Sequence, residues 1–133
     1  MDAYVKSEIQ NGIGTIEFFH AQSNSMPGSQ LRNLAKEIEK LGNDETVKVI
    51  VLQSAGDRTF CAGASFDELI SIKDREIGLE FFSGFAHVIN AIRKAPKFVL
   101  ARIQGKAVGG GVGIASAADY TFATEFASVK LSE

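Results

Sequence analysis

The sequence has no tryptophan, one cysteine, two prolines and two histidines among 133 residues. With Cys61 as the only thiol, neither an internal disulfide nor a cysteine-built zinc site is available. His20 and His87 stand alone, without a cysteine or carboxylate at ligand spacing, so no metal centre is expected. Charge of neither sign dominates: 14 basic residues face 16 acidic ones, a formal net charge of −2. Nothing in that balance favours nucleic acid or an anionic membrane as a partner. No run of about 18 apolar residues occurs, so no helical membrane span is expected. The opening Met1-Asp2-Ala3-Tyr4-Val5-Lys6 lacks the basic-then-apolar pattern of a secretory leader, and the expected setting is cytoplasmic. The remainder is ordinary globular composition, 45% hydrophobic and 23% charged, of a length for one domain or part of one.

Two β-rich runs, Tyr4 to Ile9 and Ile13 to Phe19, flank Gln10-Asn11-Gly12. Asn-Gly between such runs predicts a hairpin. From Ser25 to Gly42 the residues Leu31, Leu34, Ala35, Ile38 and Leu41 recur at helical steps and predict one apolar face. Ser25 is a candidate cap, Pro27 suits the first turn and Gly42 the end. Val47 to Gln53 is almost continuously apolar, which predicts a strand covered on both faces. A loop over Ser54 to Ala64 leads to a short helical stretch from Phe66 to Ile72. A longer helix follows over about Ile77 to Lys94, with Phe82, Phe85, Ile89 and Ile92 as its predicted buried stripe, and Pro96 beyond its end. Lys97 to Ile103 predicts another strand, Gly105 to Gly113 a glycine-rich turn, Ile114 to Ala118 a helix and Tyr120 to Thr124 a strand. Strands alternating with helices predict an α/β layer structure with a largely parallel sheet. Ser128 to Glu133 carries no cap, charged tail or turn.

Two loops have the chemistry to hold an anion. Phe60-Cys61-Ala62-Gly63-Ala64-Ser65 follows a buried strand and precedes a helical turn, and its small residues let a ligand approach the backbone. Gly105 to Gly113 leads from a strand into a helix, whose first N–H groups are unpaired and lie at the positive end of its dipole. Glycine-rich turns also serve simply to connect elements tightly, and a single one is weak evidence of a site.

Taken together, these motifs resemble those of the crotonase family of enoyl-CoA hydratases and isomerases. FCAGAS followed by Phe66-Asp67-Glu68-Leu69 resembles the family motif around one oxyanion-hole amide. AVGGGVGIASAADYTFAT resembles the second motif, and Leu131-Ser132-Glu133 resembles the segment carrying a catalytic glutamate. The order and spacing of all three agree, and the resemblance covers the whole chain. It implies a crotonase-like (ClpP/crotonase) α/β fold of repeated ββα units, with residues 1–133 forming the N-terminal part of one catalytic domain. Family members are about twice this long, so the chain is expected to be a fragment. The resemblance further implies that the N–H groups of Ala64 and Gly110 receive a thioester oxygen and that Glu133 moves the proton. Ala62, Gly63, Ser65, Phe66 and Gly109 would lie along the substrate. That substrate would be an acyl-CoA, with CoA as part of it and no separate cofactor; a homotrimer or hexamer is the implied assembly. Arg32 on the first helix is one candidate contact for the CoA phosphates.

The sequence departs from the best-known hydratases, which carry a second glutamate three residues beyond the second oxyanion-hole glycine. Here that position is Gly113. Hydration by one glutamate and double-bond isomerisation therefore both remain open, as does a non-catalytic truncated relative that only binds partner subunits. Where many members have Asp, this chain has Ser65, which leaves a backbone role intact. Asp119 suits a turn or capping contact better than an acid role, and Asp67, Glu68 and Glu125 suit solvated or structural positions. Cys61 suits a small packing residue. A dinucleotide-binding alternative rests on Gly111, Gly113 and Ser116, but it has Ser in place of the third glycine and lies far from the N-terminus. Gly105-Lys106-Ala107 is not a P-loop.

Overall fold

A computed structural model describes residues 2–132. β1 (Tyr4–Gln10) and β2 (Ile13–Phe19) form the expected hairpin, antiparallel from Tyr4 opposite Phe19 to Gln10 opposite Ile13. Asn11 and Gly12 both have positive φ, 54° and 81°, the pair of conformations a type I′ turn requires. β3 (Val49–Ser54), β5 (Phe98–Ile103) and β7 (Tyr120–Ala123) extend β2 in parallel, so the larger sheet runs β1-β2-β3-β5-β7. Each of these three strands is followed by a short one: β4 (Thr59–Cys61), β6 (Lys106–Val108) and β8 (Ser128–Lys130). The short strands form a second parallel sheet in the order β4-β6-β8. With α1 (Gly28–Gly42), α2 (Phe66–Ile70), α3 (Arg75–Lys94) and α4 (Gly110–Ala117), the chain is an α/β structure of repeated ββα units. No described helix is long and apolar enough to cross a membrane.

Leu31, Leu34, Ala35, Ile38 and Leu41 are all buried, as the helical period predicts, in one core with Ile16, Phe18, Ile50 and Leu52. β3 is not covered on both faces. Its burial alternates, with Ile50, Leu52 and Ser54 inside and Val49, Val51 and Gln53 half-buried. On the latter face, opposite α1, Phe98, Tyr120 and Phe122 are exposed. An unbroken apolar run records hydrophobicity but not which elements reach each face.

Three other local expectations change. Ser25 does not cap α1: among the described residues its buried hydroxyl has no hydrogen-bond partner, and Pro27 holds the cap position. The Glu68 carboxylate instead accepts the Gly28 N–H at 2.8 Å, placing negative charge at the positive end of α1. α3 buries Phe81, Gly84, Val88, Ala91 and Ile92; of its expected stripe Ile92 is buried, Phe85 packs against the core and Ile89 is half-buried, but Phe82 is 68% exposed. A shift of one residue turns a helix by about 100°. Gly84 selects the phase, because a Cβ there would lie 2.7 Å from Leu31 Cδ1 on α1. Finally, the glycine-rich stretch contains both β6 and the first turn of α4, which starts at Gly110 rather than Ile114.

Candidate active site

β4 and β6 are parallel neighbours, so the two loops singled out by their glycines leave the same end of the small sheet. Their starting points are held by buried polar contacts. Asn24 Nδ2 donates to the Thr59 and Ala55 carbonyls at 2.8 and 3.1 Å. Gln104 Nε2 donates to Ser54 Oγ at 2.9 Å and to the Thr59 carbonyl at 3.2 Å. Phe60 meets Phe18 edge-on, with ring centroids 5.5 Å apart, which ties β4 to the main core.

The loops touch at Gly63. Its φ is +97°, and a Cβ there would lie 3.1 Å from the Val108 carbonyl oxygen and 3.9 Å from the Gly110 nitrogen. Only glycine satisfies both the backbone angle and the space. On the outer side, the Met26 N–H donates to the Gly63 carbonyl at 2.8 Å and the Ser65 N–H donates to the Met26 carbonyl at 3.3 Å. These bonds bracket Ala64 in a parallel bridge, a pattern that turns the N–H of Ala64 itself away from Met26. Gly109, with φ 55°, precedes α4, and its N–H donates to the Lys130 carbonyl at 2.9 Å. Gly110 is the first residue of α4, where an N–H has no intrahelical partner. Among the described residues, neither the Ala64 nor the Gly110 N–H is used in the hydrogen bonds that build the two loops.

Of the residues expected along a ligand, Gly63 and Gly109 sit in this junction, Ala62 is half-buried and Phe66 is 69% exposed. Ser65 is buried, and its hydroxyl accepts the Glu68 N–H at 3.3 Å as the cap of α2. Its side chain is thus occupied structurally. Ser132 returns to the same place, its Oγ 3.8 Å from where a Gly109 Cβ would be. Glu133, the acid/base candidate, lies outside the described residues.

Other polar candidates are engaged elsewhere. The Asp119 N–H donates to the Val99 carbonyl and its carboxylate accepts the Val99 N–H, both at 2.8 Å, a structural role between neighbouring strands rather than the turn or capping contact expected of it. Asp67 accepts from Gln22 Nε2 at 3.0 Å. Arg32 pairs with Glu80 at 2.8 Å. It also lines a groove of about 430 Å³ between α1 and α3 that shares no lining residue with the two loops.

Cys61 is fully buried, and burial pushes its thiol up to about 12. It is a packing residue, with its carbonyl directly beneath Gly111. An unfolded thiol ionises near 9 and the buried one does not, so stability is complete below pH 9 and falls as pH rises from 9 toward 12. Urea titrations between pH 8 and 11 are expected to show this decline, and Cys61→Ala is expected to flatten it.

What the sequence did not reveal is the support beneath α4. Phe85 and Ile89 of α3 lie against Gly110 and Gly113, where Cβ atoms would come within 2.7 and 3.1 Å of them. Both are apolar at helical spacing, and nothing local in the sequence links them to the glycine turn.

The family model for enoyl-CoA hydratase/isomerase matches residues 8–133. The chain is 36% identical over 110 residues to a mitochondrial methylglutaconyl-CoA hydratase of Rattus norvegicus, covering 83% of this chain and 35% of that protein. It is 26% identical over 125 residues to an ethylmalonyl-CoA decarboxylase of Xenopus tropicalis, covering 93% and 42%. A crystal structure of enoyl-CoA hydratase from Bacillus halodurans superposes with a TM-score of 0.87 at 26% identity, covering 95% of this chain and 52% of that one. The chain thus spans well under half the length of these two curated relatives and about half of that solved chain.

Proposed function

The chain belongs to the enoyl-CoA hydratase/isomerase family, and on that premise we propose that it supplies the oxyanion-binding half of an enoyl-CoA hydratase. The observation that carries this is the meeting of two strand-end loops at the start of α4, each with a backbone N–H that takes no part in the hydrogen bonds among the described residues. A thioester carbonyl oxygen gains negative charge when a nucleophile adds to the conjugated double bond. Preorganised N–H donors stabilise that charge more than the neutral ground state, which lowers the barrier. Because the donors are backbone groups, small residues suffice at positions 64 and 110.

Glu133 would take a proton from water as the water oxygen bonds to the β-carbon. The electron pair of the double bond moves onto the thioester oxygen, held by Ala64 and Gly110. The same carboxyl then returns the proton to the α-carbon. Gly113 offers no second carboxylate, so a single group performs both transfers. CoA is part of the substrate, and the sequence of steps needs neither a metal nor a redox cofactor. Similarity to a methylglutaconyl-CoA hydratase favours hydration. The reaction named for the decarboxylase relative also leaves charge on a CoA thioester, which supports the common oxyanion role. The exposed apolar face of the large sheet suits burial in a homotrimer or hexamer, and the lone reduced thiol suits a cytoplasmic setting.

The test is NMR in D₂O with a panel of enoyl-CoA thioesters, on the chain and its Glu133→Gln variant. Hydrated product that disappears with Gln is expected. Double-bond migration with deuterium uptake would replace hydration by isomerisation. Binding of CoA thioesters without turnover would leave a non-catalytic relative.

A further inference from the structure

We propose that Phe85 is a positioning residue for the Gly110 amide, an inference that rests on the oxyanion role proposed above. α4 has only eight residues, and neither its cap, Gly109, nor its first residue, Gly110, has a side chain with which to anchor its own first turn. The direction of the Gly110 N–H must therefore be set from outside. Three contacts do so. The Cys61 carbonyl lies beneath Gly111, 2.5 Å from where its Cβ would be. The Gly109 N–H is tied to the Lys130 carbonyl. The third is the ring of Phe85.

Phe85 is the side chain among the three, and it comes from a different helix. A Cβ on Gly110 would lie 2.7 Å from each of Phe85 Cγ, Cδ1 and Cε1. Equal distances to three consecutive ring atoms mean that the ring presents one side squarely to the Gly110 Cα. One turn further along α3, the Ile89 Cδ1 methyl lies 3.1 Å from where a Gly113 Cβ would be, a looser contact of the same kind. This seam lets α4 approach α3 more closely than any residue with a side chain would allow, and it clamps the end of α4 that carries the amide. α3 is itself seated on α1 by Gly84 against Leu31, so the clamp is referred to the main core. A donor that rotates by tens of degrees still exists but no longer aims at the oxygen, and hydrogen bonds weaken steeply with angle.

The experiment reads carbonyl polarisation and needs no turnover. A saturated acyl-CoA, ¹³C-labelled at the thioester carbonyl, is bound to wild type, Phe85→Leu, Phe85→Ala and Phe85→Tyr, and its infrared band is recorded. Wild type is expected to shift the band to lower wavenumber. Phe85→Leu and Phe85→Ala are expected to lose most of that shift while the Kd stays within about threefold, and Phe85→Tyr, which keeps the ring, is expected to retain it. Phe85→Leu is the milder change and carries the test if Phe85→Ala fails to fold. A full shift in Phe85→Leu, with only the melting temperature lowered, would reduce Phe85 to ordinary packing and overturn the inference alone. A wild-type complex with no shift would overturn the oxyanion role and this inference with it.

Discussion

Gly105→Ala is expected to destabilise the protein by on the order of 4 kcal/mol or more, at the extreme of single-substitution effects. A Cβ at Gly105 would lie 1.4 Å from the Arg58 carbonyl oxygen and 2.5 Å from its carbon. Overpacking usually costs about 1–3 kcal/mol because side chains give way, but here the obstacle is backbone at the start of the small sheet. The Lys106 N–H donates to that same Arg58 carbonyl, and Thr59 pairs with Lys106 immediately beyond it. Relieving the clash therefore separates β4 from β6, the two strands whose ends carry the candidate site. Urea unfolding at 25 °C is the measurement, with Gly56→Ala as comparison. Gly56 has φ +90° and no atom within 4 Å of its added Cβ, so alanine there incurs only the left-handed backbone cost, about 1–2 kcal/mol. Equal losses in the two variants would show that the Arg58 contact is not limiting.

Ala64→Pro is expected to lower turnover by about 10²- to 10³-fold, the usual effect of deleting one oxyanion donor. Its effect on the melting temperature should be small. Proline has no N–H, and the Ala64 N–H enters no hydrogen bond among the described residues. The bonds to Met26 belong to the Gly63 carbonyl and the Ser65 N–H, and both survive. Ala64 is exposed, which leaves room for the ring, and the residue before it is glycine, which avoids the Cβ clash that proline imposes on its predecessor. Steady-state rates and thermal melts measured on the same samples decide the matter. A folded Ala64→Pro with wild-type turnover would remove Ala64 from the oxyanion site. Should the ring disturb the loop, replacing the Gly63–Ala64 amide by an ester deletes the same N–H with almost no change of shape.

Several parts of this protein were legible because their causes are local. Asn11-Gly12 encodes its hairpin through two left-handed residues, and α1 encodes its buried face through five apolar positions at helical spacing. The loops at Ala62–Ser65 and Gly105–Gly113 were visible as places where backbone could meet a ligand. Strands of three residues were not legible, since β4, β6 and β8 are too short to show a period and exist only through pairing with one another. The start of α1 was not legible, because the group that accepts its Gly28 N–H, the Glu68 carboxylate, lies 40 residues away. On α3, Phe81 rather than Phe82 is buried, because adjacent apolar positions offer alternative faces and contact with Leu31 chooses between them.

By itself, then, the sequence determined the α/β order of elements and the small residues at both loops, since short-range backbone preference and side-chain chemistry specify these, and the family through the likeness of its motifs. Only the tertiary structure decided that the two loops meet at Gly63, that β3 is buried on one face alone and that Phe85 lies on Gly110. Those outcomes depend on strand register and helix phase, which arise when residues tens of positions apart compete for the same space, and no local pattern encodes the winner.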